Sequence, residues 1–364
     1  MTKLILFICG LFLFVRCLPA QDALGSRVFT SEDVSLNVSA LLQGRYTFTA
    51  PENEPKTQNF DLALGRLALS GDVIGHGASY FIQLEGSTLG NTNRLSLLDA
   101  WIQLRTGEAS GFQVGRMLVP YSRQFYTHPG NLLFTDLSEA DYAFNLPRAI
   151  GADYSGKWKR LSYYTFAGNS IRALDASGQQ NPDAALSVVG RAEVDLLAPY
   201  GYMESIPKGA SRPQWSVGFA AGRNRVAESS VFQNLSPADR TSNYTLDSGF
   251  RIRRWTAQAA VYLRDAEANG ALPSRRDTGN YAQVGFLIVP GKWEIAARES
   301  VVDFARRPVN GSIANIHEYM GGLNRYIVGH RLKLQFDAGI VDQQDFTGLT
   351  QKGFRARAQA QVLF

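Results

Sequence analysis

Residues 353–364 read GFRARAQAQVLF, and the pattern alternates without a break. Phe354, Ala356, Ala358, Ala360, Val362 and Phe364 share one parity, while Arg355, Arg357, Gln359 and Gln361 share the other. Successive side chains of a strand point to opposite faces, so this segment predicts a strand with one apolar face and one cationic, amide-bearing face. The same period recurs at 35–48, 242–253, 255–264 and 330–340, which chance does not readily supply.

Read this way, the chain predicts about sixteen strands, at 35–49, 59–74, 79–88, 95–105, 111–121, 148–157, 161–170, 185–197, 214–223, 242–252, 255–265, 279–289, 292–302, 314–328, 330–341 and 353–364. In the second, sixth and thirteenth runs the parity breaks, as where Arg66 stands beside Leu67, and a bulge or a shifted boundary is expected there. Connections at one end are mostly tight (GEASG, KWKR, RR, PGK, GH), and those at the other are mostly long. Two depart from this rule: 198–213 is long at the tight end, and 90–94 is short at the long end. An even number of antiparallel strands with this alternation predicts an all-β, closed transmembrane barrel. Closure leaves no edge at which to divide it, so a single domain is expected.

The two faces say which solvent each meets. The apolar face holds much Ala, with Tyr46, Trp255, Tyr281 and Trp293 assigned to strand ends, as at a water–lipid boundary. The other face carries too many charges to fill a dry core. Lipid outside and water inside satisfy both.

Composition then narrows the class. Apolar residues make up 45% of the chain, yet no apolar window long enough for a membrane helix follows the first residues. Those first residues, MTKLILFICGLFLFVRCLPAQ, have Lys3, an apolar core at 4–15 and small Ala20, which reads as a signal peptide over 1–20 and a barrel domain over 21–364. Both cysteines, Cys9 and Cys17, fall in the leader, so disulfide and thiolate chemistry are not expected of the exported chain. The chain has 37 Lys+Arg against 32 Asp+Glu, too mild an excess to argue for nucleic acid.

A channel needs a lumen, a constriction and a field rather than catalysis. Parity sends Arg45, Arg251, Arg253, Arg264, Arg298, Arg331, Lys333, Arg355 and Arg357 inward on contiguous strands. Asp247, Glu294 and Asp337 are the acids among them. The longest connection, 122–147, is the constriction candidate, with Arg123, Asp136, Glu139, Asp141 and the flanking Arg148 as its charged residues. Asp136 or Ser138 is positioned to cap a short helix there, and Pro147 to end the segment. A basic wall facing an acidic loop predicts a modest preference for anions, phosphate among them.

Phe60 to Trp158 contains, in order, FDLALGRLALSGDV, YFIQLEG, LLDAWIQL, FQVGRMLVPYS and LPRAIGADYSGKW. Together these resemble the phosphate-selective porins O and P. The resemblance implies passive diffusion of small hydrophilic solutes across the outer membrane, a third loop folded into the barrel, and a homotrimer. Terminal Phe364 is similar to the signal that barrel-assembly machinery reads. The arginine ladder and lysine cluster of phosphate-specific members do not map onto this chain residue by residue.

Three rival readings are weaker. A barrel enzyme would need a triad or a metal set, and none of His76, His128, His317 and His330 has a partner at such spacing; no cofactor or metal is expected. A plugged, substrate-specific transporter would begin with a longer N-terminal segment. A secreted soluble β-protein would carry more Leu, Ile and Val on its apolar face.

Overall fold

The computed structural model describes residues 26–88, 94–171, 186–226, 235, 239–268, 273–305 and 313–364. The expected signal peptide lies outside the described residues. A short strand β1 (Ser26–Thr30) precedes β2 (Ser35–Pro51), β3 (Thr57–Val73), β4 (Ala78–Ser87), β5 (Arg94–Gly107), β6 (Ser110–Leu118), β7 (Arg148–Trp158), β8 (Leu161–Gly168) and β9 (Ser187–Asp195). Then follow β10 (Ala210–Arg225), β11 (Arg240–Arg253), β12 (Trp255–Ala266), β13 (Arg275–Val289), β14 (Trp293–Asp303), β15 (Ile313–Val328), β16 (Leu332–Asp345) and β17 (Thr350–Leu363).

Each of β2 to β16 pairs antiparallel with its successor, and β17 pairs with β2, so sixteen strands close into a barrel. The closing seam runs from Gly353↔Pro51 to Leu363↔Leu41. Phe364 extends it, donating its N–H to Ala40 O at 3.0 Å and accepting from Ala40 N at 2.8 Å. In lipid every backbone polar group must be satisfied within the protein, which is why the ladder continues to the last residue. β1 pairs with the first residues of β2, where β17 no longer reaches.

Alternation sorts the side chains as expected. Phe354, Ala360, Val362 and Phe364 face out, while Arg357, Gln359 and Gln361 are buried in the lumen. Trp158, Trp255 and Trp293 stand exposed beside tight turns, and Lys159 and Arg325 lie over the rings of Trp158 and Trp293 at 5.0 Å. Aromatic rings with cations above them suit the polar edge of a bilayer. Tyr281 corrects the expectation for its position: it points into the lumen and is 1% exposed.

The expected parity break in the second run is a bulge. Gln43 pairs with Leu64 and Gly44 with Leu62, leaving Ala63 unpaired. An unpaired residue moves everything after it to the other face, so Arg66 points inward. In β14 the burial alternates throughout, whereas β7 pairs with both neighbours without a register shift yet buries both Arg148 and Ala149 at its start.

The third long connection, residues 119–147, turns into the barrel. Ser122 caps α1 (Arg123–Tyr126), His128 caps a tight turn at Pro129–Asn131, and Ser138 caps α2 (Glu139–Phe144) by accepting from Asp141 N. Helix α2 packs against β12, β13 and β14. Its free N–H groups at Glu139 and Ala140 donate to Glu318 at 3.0 Å and Ser300 Oγ at 2.9 Å, and its Ala143 carbonyl accepts from Arg264 at 3.1 Å. An acid at the N-terminus and a cation at the C-terminus satisfy the orphan groups that a short helix leaves at each end.

Inward-facing glycines of the wall make seats for the inserted rings. A Cβ on Gly279 would stand 2.5 Å from Phe144, and one on Gly249 would stand 2.5 Å from Tyr200. Glycine in a strand interior often marks such a close approach.

Candidate permeation site

The lumen divides into two unlike halves. Along β9 to β15 the inward side chains are covered by inserted polypeptide. Arg123 there bonds Asp247 at 2.7 Å and Glu193 at 3.0 Å. Arg191 holds the other Asp247 oxygen at 2.6 Å, so two buried guanidiniums share one carboxylate. Arg264 grips Asp277 through two nitrogens at 3.0 and 2.7 Å. Arg298 bonds Glu318 at 2.6 Å and lies 4.4 Å above the Phe134 ring. Bidentate and stacked geometries of this kind recover part of the cost of burying a guanidinium.

Two further buried cations, Arg251 of this half and Lys333 of the adjoining β16, meet carbonyls and amides instead of carboxylates. Lys333 donates to Leu132 O at 2.9 Å. Arg251 donates to Tyr200 O at 2.6 Å, to Met203 O and to Gln214 at 2.8 Å, with its guanidinium 3.7 Å from the Tyr200 ring centroid. Both therefore hold inserted chain in place.

The half formed by β2 to β4 and β17 retains solvent. Arg45 bonds Asp136 at 2.9 Å and the Thr135 carbonyl at 2.6 Å. Arg357 spans both oxygens of Asp337 at 2.7 and 3.2 Å and stands 3.6 Å from Asp136. Arg355 reaches Glu139 at 2.9 Å, and Arg66 reaches Glu85 at 2.6 Å. The side chains of Arg355, Asp136 and Glu85 are each 22% exposed, against 2% or less for Arg264 and Arg298. Tyr142, from the loop, is 39% exposed and donates to Asp136. The solvated path thus runs between the third loop and the β2–β4, β17 wall.

The loop carboxylates differ in state. Burial raises Asp136, but Arg45 and Arg357 outweigh it and hold the group below the usual carboxylate range. Asp141 is pushed up to about 6 by burial, its bonds from Ser122 and Tyr262 compensating only in part, and its Oδ2 has no partner.

The residues expected from parity separate accordingly. Arg45, Arg355 and Arg357 border the solvated path; Arg251, Arg264, Arg298 and Lys333 are sealed behind inserted chain. Arg253 and Arg331 correct the expectation: they stand exposed at the tight turns, Arg253 with φ +52°, and not on the lumen wall. Of the loop set, Asp136 and Glu139 meet the wall arginines, and Arg123 and Asp141 are buried in the sealed half. Arg148 lies on β7 and clamps Asp99 at 2.9 and 3.2 Å.

Sequence reasoning missed Arg66, Tyr142 and Glu204. The bulge hid the first by reversing parity, and no periodicity marks a loop residue such as the second. Glu204 belongs to the long connection at the tight-turn end, and that anomalous length was its signal.

Comparison with known proteins places this geometry. The profile of the family described as Phosphate-selective porin O and P matches residues 37–364. Among solved structures, the anion-selective porin from Comamonas acidovorans is similar at TM-score 0.64 and 13% identity, over 90% of this chain and 100% of that one. The outer membrane channel DcaP of Acinetobacter baumannii is similar at TM-score 0.63 and 10% identity, over 92% and 99%. The trimer form of OmpT from Vibrio cholerae is similar at TM-score 0.52 and 11% identity, over 90% and 99%. No curated protein sequence matches.

Proposed function

Because the chain belongs to the phosphate-selective porin O and P family, we propose that its outer-membrane channel passes small hydrophilic solutes passively and favours small anions. The observation that carries the reading is the cationic wall of the solvated path, where Arg355 is 22% and Arg66 11% exposed and Arg45 and Arg357 lie buried just behind them. The carboxylates opposite them are engaged. Asp136 accepts from Arg45, Tyr142 and its neighbour's N–H at Leu137, so the loop offers a passing cation few free lone pairs. A guanidinium keeps further N–H donors for an anion after one carboxylate is bound. The described structure of an anion-selective porin with this fold supports the same reading. Small anions as a class, phosphate included, fit this path better than phosphate alone, since its arginines are paired and form no continuous ladder.

Reversal potential in a salt gradient across a planar bilayer tests it. Chloride is expected to pass in preference to potassium, and Arg355→Glu is expected to move the potential toward cation selectivity. A cation-selective parent channel overturns the proposal. We further propose that the chain is processed after residue 20 and inserted into lipid by the assembly machinery that reads Phe364. Association as a homotrimer is supported by the trimer form of OmpT; chemical cross-linking in native membranes would detect it.

A further inference from the structure

Tight-turn connections in this barrel are short, except for residues 196–209 between β9 and β10. That segment does not stay outside. It crosses the lumen as a strap over the inner faces of β10 to β14 and reaches the turn between β15 and β16. Tyr200 N donates to Ser216 Oγ at 3.0 Å, Thr256 Oγ1 to Glu204 O at 2.6 Å, and Ser205 Oγ to Glu294 at 2.7 Å. His330 Nε2 lies 2.9 Å from Ser205 O. Tyr200, Glu204 and Ser205 are all 3% exposed or less.

The strap also meets the third loop. Glu204 accepts from Leu133 N at 2.6 Å and from Gln124 Nε2 at 3.0 Å, and its own N–H donates to Asn131 O at 3.2 Å. Gln124 in turn accepts from Ser138, the cap of α2. One carboxylate therefore ties the strap to α1 and to the middle of the third loop, and through Gln124 to the cap of α2. The glycine seat at Gly249 for Tyr200 shows that the wall is shaped for an inserted strap.

We propose that residues 196–209 form a second constriction, entering from the tight-turn end, and that Glu204 is a positioning residue that locks the third loop against it. The strap closes the β10–β14 half of the mouth and leaves passage only along the β2–β4, β17 side. The proposal rests on the channel reading for its conductance arm and is independent of it for its labelling arm.

The test replaces residues 199–208 with Gly-Gly and compares single-channel conductance and the size limit for neutral sugars in liposome swelling. Conductance is expected to rise severalfold and larger sugars to enter. Glu204→Ala is expected to raise conductance less, with Glu204→Gln close to the parent because an acceptor remains. Equal conductance and equal size limits in parent and strap-replaced barrels overturn the proposal. If the replaced chain does not fold, Thr256→Cys in the full-length barrel decides. A charged thiol reagent is expected to leave it unlabelled beneath the strap, and rapid labelling overturns the proposal whether or not the parent conducts.

Discussion

The β9–β15 half of the lumen and the β2–β4, β17 half are built from the same alternating strands, yet their arginines do different work. In the first, guanidiniums are sealed beneath the third loop and the strap, each held by buried carboxylates or carbonyls. In the second, Arg355, Asp136 and Glu85 keep contact with solvent. A charge influences a permeating ion only where water connects the two, since desolvated pairs are locked into their own partners. The same residue type is thus an anchor on one side and part of the path on the other.

The largest effect that separates the halves is expected at Asp247. Removing it as Asp247→Ala leaves Arg123 and Arg191 buried without their shared partner, at a cost of about 3–5 kcal/mol. Urea unfolding in lipid vesicles measures that loss, and the reversal potential is expected to stay where it was. A shifted reversal potential with unchanged stability would erase the distinction between the two halves.

A smaller effect, at most about 3 kcal/mol, follows from Asp141, whose carboxyl is pushed up to about 6 from an ordinary value of 3.8. A raised carboxyl favours the protonated folded state, so docking of the third loop weakens as pH rises from about 4 to about 6 and is level above that. Asp136, held low by its arginines, works in the opposite sense only below that window. Proteolysis of the loop is expected to be slower at pH 4.5 than at pH 7.5, and Asp141→Asn is expected to flatten the difference. An equal pH dependence in that variant would remove Asp141 as its source.

The smallest effect belongs to the solvated half. Tyr142→Phe removes one bond to Asp136 and is expected to change stability by under about 1 kcal/mol, because water replaces the lost donor. It is expected to alter conductance measurably all the same, since the lost hydroxyl frees an Asp136 oxygen beside the path.

Alternation alone placed Arg45, Arg355 and Arg357 on the lumen, because a period of two needs no tertiary information. It set Tyr281 of β13 on the wrong face, and in β3 it hid Arg66 behind a bulge, which is a property of two strands in register rather than of one sequence. Arg253 and Arg331 were misplaced for a related reason: parity has no meaning once the chain enters a turn.

What the sequence by itself determined was therefore the barrel, its strand count, its outward apolar face and the existence of a long third loop. Tertiary structure decided which half of the lumen carries water. That choice depends on where residues 119–147 and 196–209 lie once folded. Their seats, at Gly249 and Gly279, and their anchors, at Arg251, Lys333 and Glu318, come from strands far apart in the chain, and only barrel closure brings those groups to face one lumen.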